Sequence, residues 1–194
     1  ILERIAKTQK IAVYRGSELD VLDRFYRAAK LFNVDHIVRI TADCPLIDPA
    51  IVKKTIDFYC QGIYDYVSNS HPPTFPDGMD VEVFSFWVLQ ECWEKAKLPE
   101  EREHVTFYIS KNPRIFKTGN YAAKNKDLCD WRLTIDQKED MVLIKKIYKE
   151  LYKKDKIFGL HKIVSLLKKH PDLLETNKKV VPHPLNRWQK NQEK

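Results

Sequence analysis

Short apolar runs and helical stripes alternate along the first 70 residues. Three apolar runs each predict a strand: Ile11–Tyr14, His36–Thr41 and Tyr64–Ser68. Between them, residues 18–32 repeat apolar side chains at helical spacing behind a capping Ser17, and Asp48-Pro49 opens a second helix that runs to about Tyr59. This order of strands and helices is typical of a mostly parallel sheet that is covered by helices.

The rest of the chain is less regular. After a loop rich in proline, residues 79–84 alternate apolar and acidic positions, which predicts a half-buried strand with the acidic side chains on one face. Further elements are predicted as helices over 86–96 and 101–110, a strand over Trp131–Ile135, an amphipathic helix after Asp136, and a weak helix at 160–169. We expect an α/β domain over 1–155 and a basic extension over 156–194 that is partly helical or disordered.

Composition narrows the class of protein. Of the 194 residues, 43% are hydrophobic, which is a globular value, and no apolar run approaches the roughly 20 residues that a membrane span needs. The four cysteines are scattered without a C-x-x-C pair, so a zinc site or a disulfide framework is not indicated. Reduced thiols in a cytoplasmic protein are the natural expectation.

The net charge of +7 is concentrated in one part of the chain. Residues 1–140 carry 20 Lys and Arg against 22 Asp and Glu, whereas residues 141–194 carry 14 against 5. A body of nearly neutral charge is not typical of a nucleic-acid-binding domain. The basic C-terminal stretch is interpreted as a solvated helix face, and a polyanion site there is the alternative.

Two aspartates stand where predicted strands end. Asp43 follows the second strand and Asp136 follows the last one, so neighbouring strands would bring their carboxylates together above the sheet. Carboxylate oxygens suit Mg²⁺, which binds one or two protein carboxylates and completes its shell with phosphates and water. Each residue also has a purely structural interpretation, Asp43 as a turn residue and Asp136, with Glu139, as a helix cap.

Other polar residues support weaker hypotheses. Asp77, Asp80 and Glu82 form an acidic cluster that would bind sugar hydroxyls, add a metal ligand, or simply form the polar face of a strand. His104 has no second histidine at helical spacing, so H-E-x-x-H metal chemistry is excluded and a capping or sugar-contacting role remains. The chain contains neither a G-x-S-x-G elbow nor a phosphate-binding G-x-x-x-x-G-K-[ST] loop.

Six ordered sequence blocks together resemble the spore coat polysaccharide biosynthesis protein F group of the cytidylyltransferases, relatives of the CMP-sialate and CMP-Kdo synthetases. The resemblance covers roughly residues 10–150. The blocks are GSELDVLDR at 16–24, ITADCPLIDP at 40–49, YDYVSN at 64–69, PDGMDVEVFS at 76–85, EREHVT at 101–106 and RLTID at 132–136.

The resemblance implies a three-layer α/β/α nucleotide-diphospho-sugar transferase fold, which is Rossmann-like. It implies an enzyme that transfers CMP from CTP to a sugar, expected to be acidic, in surface polysaccharide biosynthesis. Asp43 and Asp136 would hold Mg²⁺ against the phosphates of CTP. The residues implied to bind the nucleotide are Gly16, Ser17 and Arg24, and those implied to face the sugar are Asn69, Asp77, Asp80, Glu82, Glu103 and His104.

One element of the family has no counterpart here. The family opens with a strand and a loop rich in Arg, Gly and Lys that grips the triphosphate, and nothing of that kind precedes Ile11. Phosphoryl transfer depends on charge neutralisation, so we expect an N-terminally truncated fold whose activity alone is uncertain. The alternative is an inactive module for binding or assembly. A homodimer and the identity of the sugar are left open.

Overall fold

The computed structural model describes residues 1–124, 127–154 and 156–180. In these ranges the elements follow in the order α1 (Leu2–Thr8), α2 (Val21–Leu31), β1 (His36–Arg39), α3 (Pro49–Tyr59), β2 (Tyr66–Ser68), β3 (Glu82–Ser85), α4 (Phe86–Lys95), α5 (Pro99–Glu103), α6 (Phe107–Lys111), β4 (Thr118–Asn120), α7 (Lys138–Leu151) and α8 (Leu160–Lys169). A 3₁₀ helix, Pro171–Thr176, follows α8. The predicted α/β class is confirmed.

The strands form a sheet in the order β1, β3, β2, β4. Strands β2 and β4 run parallel, with Val67 opposite Gly119. A side chain at 119 would place its Cβ 2.7 Å from the ring of Tyr64, so this pairing requires glycine. The sequence of β4, Thr-Gly-Asn, has no apolar alternation, which is why the pattern did not predict this strand.

The chain folds into two compact units. One consists of Ile1–Ile37 and Phe84–Lys117, and the other of Val38–Val83 with the described residues between 118 and 180. In the first unit, α2 begins at Val21 rather than at residue 18, because Asp20 is the cap and accepts a hydrogen bond from the Asp23 amide at 2.9 Å. The Ser17 hydroxyl instead accepts from the Asp20 amide at 3.0 Å.

Two predictions for the first unit are wrong. The expected strand Ile11–Tyr14 is irregular, and Ile11 is 62% exposed, since no described strand pairs with its backbone. The expected helix over 101–110 is divided into α5 and α6. The break lies at Val105, a β-branched residue with φ of 44°, which no α-helix accommodates.

In the second unit, the start of α3 is confirmed at Asp48-Pro49. The Asp48 carboxylate accepts from the Ala50 amide at 2.8 Å, and Pro49 occupies the first turn, where its missing N–H costs nothing. The other oxygen of Asp48 accepts from the Leu160 amide at 2.7 Å, at the start of α8. One carboxylate therefore connects the starts of two helices.

The core of the second unit is built on α7 and α8. Its buried apolar side chains are Leu46, Ile51, Met79, Val81, Val83, Leu133, Leu143, Ile144, Ile147, Ile163 and Leu167. The predicted helix at 160–169 is confirmed as α8, and its two buried residues pack into the same core as those of α7. The division at residue 155 stays a prediction, and the expected disorder beyond residue 180 falls outside the described residues.

Replacing Leu167 by alanine tests the contribution of α8. The side chain is fully buried, so Leu167→Ala should lower the free energy of unfolding by about 2–5 kcal/mol through lost burial and the cavity left behind. Urea denaturation measures the change. The neighbouring exposed Lys168→Ala should stay within about 0.5 kcal/mol of wild type. Equal stability of both variants would mean that α8 contributes no core.

Candidate active site

Asp43 lies in a loop that is held firmly on both sides. The loop follows β1 and turns through hydrogen bonds from the Cys44 amide to the Thr41 carbonyl and from the Ile47 amide to the Cys44 carbonyl, both 3.2 Å. The Tyr148 hydroxyl donates to the Pro45 carbonyl at 2.8 Å, which ties the loop to α7. The half-buried carboxyl of Asp43 is thus presented from a fixed backbone.

The segment that leads to Asp136 lies beside this loop. The Asp43 carbonyl accepts from the Ile135 amide at 2.9 Å and from the Thr134 hydroxyl at 3.1 Å. These bonds bring the backbones of Asp43 and Ile135, the residue before Asp136, into direct contact. The structure therefore brings the two predicted metal ligands to the same part of the unit, although their role as ligands stays a prediction.

The predicted strand over Trp131–Ile135 is wrong. Leu133, in the middle of this segment, donates its amide hydrogen to the Asp77 carbonyl at 2.8 Å, whereas Ile135 donates its amide hydrogen to the Asp43 carbonyl. Because the segment divides its backbone hydrogen bonds between two loops, it forms one isolated bridge, between Arg132 and Asp77, instead of a ladder.

Arg132 gathers three carboxylates. Its Nε and Nη2 atoms each donate to Asp140 at 2.9 Å, in the two-point geometry that favours arginine over lysine. Its Nη1 atom donates to Asp77 at 3.0 Å, and Nη2 also donates to Asp136 at 2.5 Å. The arginine side chain is only 10% exposed, so these bonds form in a partly desolvated setting.

Asp140 and Asn177 complete this arrangement. Asp140 is fully buried and caps α7, accepting from the amides of Asp136 and Gln137 at 3.0 and 2.9 Å. The helix start was predicted with Glu139 as the capping acid, but Asp140 takes that place. The Asn177 side chain donates to Asp140 at 2.8 Å and to the Arg132 carbonyl at 3.0 Å.

Gly78 allows the loop that carries Asp77 to approach this segment. Its φ of 94° lies in the left-handed region, and a Cβ there would stand 2.6 Å from the backbone of Leu133. Both the conformation and the space therefore require glycine. Without this close approach, Asp77 would not reach Arg132.

Arg132 and the carboxylates of Asp77, Asp136, Asp140 and nearby Asp43 form a second cluster, called the cluster from here on. It holds more negative than positive charge. Burial raises the pKa of Asp77, and the neighbouring carboxylates of Asp136, Asp43 and Asp140 raise it further, against the opposing effect of Arg132. Asp140 behaves differently: although burial acts to raise its pKa, the bonds from Arg132 and Asn177 bring it below the usual value. Asp77 and Asp136 are therefore two carboxylates that share one arginine with Asp140, and Asp43 adds a further negative charge near Asp77.

This donor set fits a hard divalent cation. The carboxylate of Asp136 is 35% exposed and that of Asp43 is half-buried, so both remain within reach of solvent. Crowded carboxylates are relieved of mutual repulsion when a cation binds. Among the described residues no three His, Cys, Asp or Glu side chains are arranged as a complete metal site, so phosphate or water oxygens would have to supply the remaining ligands.

Asn69 and Glu82 are buried in the same unit, where their side chains form hydrogen bonds. The amide of Asn69 donates to the Met79 carbonyl at 2.7 Å and accepts from the Val81 amide at 2.8 Å, and the residue is fully buried. Glu82 accepts from the Tyr66 hydroxyl at 2.6 Å and pairs with Arg39. The expected exposed acidic face is therefore wrong for Glu82, which is buried among hydrogen-bond donors.

In the first unit, the residues expected to bind the nucleotide lie together. Arg24 donates to the Ser17 carbonyl at 3.0 Å, and a Cβ on Gly16 would lie 3.0 Å from the Arg24 side chain. Glu103 is exposed at the end of α5, and the half-buried His104 makes an edge contact with the ring of Phe107. The nucleotide and sugar roles of these residues stay predictions.

A nucleophilic cysteine is not supported. Cys44 lies beside Asp43, but burial raises the pKa of its thiol to about 12, which keeps it protonated. The four cysteines all lie within the described residues and are free thiols. As for membranes, none of the described helices is both long and apolar enough to cross one.

Sequence reasoning missed the residues that hold the cluster. Arg132 belongs to the RLTID block but was not singled out as a site residue. Asp140 was detectable, since an acid three residues after Gln137 is typical of a capping box. Asn177 had no local signal, because its partners lie 37 and 45 residues away.

Comparison with known proteins identifies the family of the chain. The family model described as cytidylyltransferase matches residues 2–180. A solved cytidylyltransferase structure from Leptospira borgpetersenii serovar Hardjo-bovis superposes with a TM-score of 0.84 at 36% identity, over 94% of this chain and 75% of that one.

Two curated relatives extend the match. An uncharacterized protein of Methanocaldococcus jannaschii is 38% identical over 176 residues, which is 88% of this chain and 68% of that protein. The spore coat polysaccharide biosynthesis protein SpsF of Bacillus subtilis is 32% identical over 89% of this chain and 71% of its own length. The chain belongs to the cytidylyltransferase family, the enzymes that use CTP as the nucleotide donor.

Proposed function

We propose that this cytidylyltransferase transfers CMP from CTP to a hydroxyl of an acidic sugar and releases pyrophosphate. The sugar nucleotide would serve surface polysaccharide biosynthesis, as the name of the Bacillus relative suggests. The observation that carries the proposal is that Asp77 and Asp136 share Arg132 while the charge of Asp43 lies near Asp77, because such a group of carboxylates suits a cation that carries a triphosphate.

In the proposed reaction, the sugar hydroxyl oxygen forms a bond to the α-phosphorus of CTP. The bond from that phosphorus to the bridging oxygen of the β-phosphate breaks, pyrophosphate leaves with the electron pair, and the hydroxyl proton passes to water. No covalent enzyme intermediate is required. Mg²⁺, when bound, would neutralise the charge of the phosphates.

The protein's own residues would act by positioning. Asp43 and Asp136 would hold the cation, since their carboxylates are within reach of solvent and their backbones are fixed by Ile135 and by the cap of α7. Arg132 would keep the Asp136 carboxylate in one orientation. Such preorganisation lowers the cost of assembling the charged groups in the transition state.

Pyrophosphate release tests the proposal. The purified protein is mixed with Mg²⁺, each of the four nucleoside triphosphates, and acidic or neutral sugars. We expect release that requires CTP, an acidic sugar and Mg²⁺, and that stops with EDTA. If CTP gives release only with neutral sugars, the proposal of an acidic acceptor is wrong. If CTP gives no release with any sugar, the proposed transfer reaction is wrong.

Asp43→Asn and Asp136→Asn test the metal-binding role. Each variant keeps the size of the side chain but removes an anionic ligand, so kcat/KM should fall by about 100-fold or more. Glu139→Gln is the matched control, since this acid is exposed on α7 close to Asp136. If all three variants keep the activity of wild type, the carboxylates hold no catalytic cation.

Asp80 gives the same unit a pH-dependent stability. Its half-buried carboxyl has a pKa raised from 3.8 to about 7, chiefly by burial and then by the charges of Asp77, Glu82 and Asp43. Between about pH 4 and pH 7 the folded chain holds a proton that the unfolded chain has released. The free energy of unfolding therefore falls as the pH rises through this window.

Asp80→Asn removes this titration. Between pH 4 and pH 7, the free energy of unfolding should decrease by roughly 1–2 kcal/mol less in Asp80→Asn than in wild type. This figure allows for the partial exposure of the carboxyl. Urea denaturation at several pH values measures the difference. Asp57→Asn, which changes an exposed acid on α3, should follow the wild-type curve. Parallel curves for wild type and Asp80→Asn would contradict the prediction.

A further inference from the structure

We propose that Asn177, near the C-terminal end of the described chain, is a positioning residue for the carboxylates of Asp77 and Asp136. It would act through Asp140 and Arg132, and it touches neither substrate nor cation. The catalytic readouts of this inference rest on the proposed function, whereas its spectroscopic readout does not.

The first step is the burial of Asn177. The residue is 4% exposed, although it follows a short 3₁₀ helix on a segment rich in lysine. A buried amide is costly unless its hydrogen bonds are made, and this one donates twice, to Asp140 at 2.8 Å and to the Arg132 carbonyl at 3.0 Å. Asn177 therefore contacts both the side chain and the backbone of one ion pair.

The second step is the dependence of Arg132 on Asp140. Two guanidinium nitrogens of Arg132 bind the two oxygens of Asp140, which fixes the plane of the guanidinium. The remaining donors then point to Asp77 and Asp136. If Asp140 turns, the guanidinium turns with it, and both of the other carboxylates lose their anchor.

The third step is the support of Asn177 itself. Helix α8 is anchored by Ile163 and Leu167 in the core of the unit, and its first amide is bound by Asp48. The 3₁₀ helix follows α8, and Asn177 comes directly after it, in contact with the cluster. The segment from α8 to Asn177 is therefore connected at its first end to the start of α3, through Asp48, and at its last end to Arg132.

Two variants separate positioning from simple stabilisation. Asn177→Ala removes both donated hydrogen bonds. Asn177→Asp keeps the shape but places a carboxylate against Asp140, which repels it. Lys178→Ala is the matched control, because it breaks only an exposed ion pair with Glu175 on the same segment.

The spectroscopic readout is the guanidinium of Arg132. In protein labelled with ¹⁵N-arginine, we expect separate Nη signals for Arg132 in wild type and in Lys178→Ala, since bonds to three carboxylates hinder its rotation. The signals are assigned by their loss in Arg132→Lys. In both Asn177 variants they should merge at a temperature at which urea denaturation shows the protein to be folded.

The kinetic readout is the Mg²⁺ concentration that gives half-maximal pyrophosphate release. It should rise by about 10-fold or more in the Asn177 variants, more in Asn177→Asp, as for other residues that orient metal ligands. Lowered stability with wild-type Arg132 signals and wild-type Mg²⁺ dependence would overturn the inference, as would merged signals in wild type. If no protein releases pyrophosphate, the proposed function fails, and the Arg132 signals still decide the role of Asn177.

Discussion

The ion pair between Arg132 and Asp140 is the interaction on which the geometry of the candidate site depends. Asp140 is fully buried, and it caps α7 while its two oxygens accept hydrogen bonds from two nitrogens of the guanidinium. Removing Arg132 would leave the fully buried Asp140 without its ion-pair partner, and the loss of one partner of a buried pair costs about 3–5 kcal/mol. The same bonds also fix Asp77 and Asp136, so the stability of the helix start and the geometry of the candidate site have a common origin.

Charge crowding links this structural role to the chemistry of the family. One arginine cannot neutralise Asp43, Asp77, Asp136 and Asp140 together. Burial is the main reason that the pKa of Asp77 is raised, and the charges of the other three carboxylates raise it further. A cation that arrives with a triphosphate would supply the missing charge, and the cytidylyltransferase family uses such a substrate. Under the proposed function, a bound cation would offset this excess of negative charge.

Several elements were predictable from neighbouring residues, and several were not. The start of α3 follows from Asp48-Pro49, because a cap and a proline in the first turn act within a few residues. The segments Ile11–Tyr14 and Trp131–Ile135 have the apolar content of strands but do not form them. Apolar content predicts burial or extended shape, whereas a strand also needs a partner that accepts its backbone hydrogen bonds along its whole length.

The sequence by itself determined the α/β class, the starts of α3, α4 and α8 and, through the ordered blocks, the family. It also identified Asp43 and Asp136 as candidate ligands, because each follows a short apolar run that predicts a strand, although only the run before Asp43 forms one. The tertiary structure alone decided which donors those acids receive. Arg132 reaches Asp77 across 55 positions, and Asn177 reaches Asp140 across 37. Caps and periodicity act over one or two helical turns, so contacts of this separation exist only once the chain has packed.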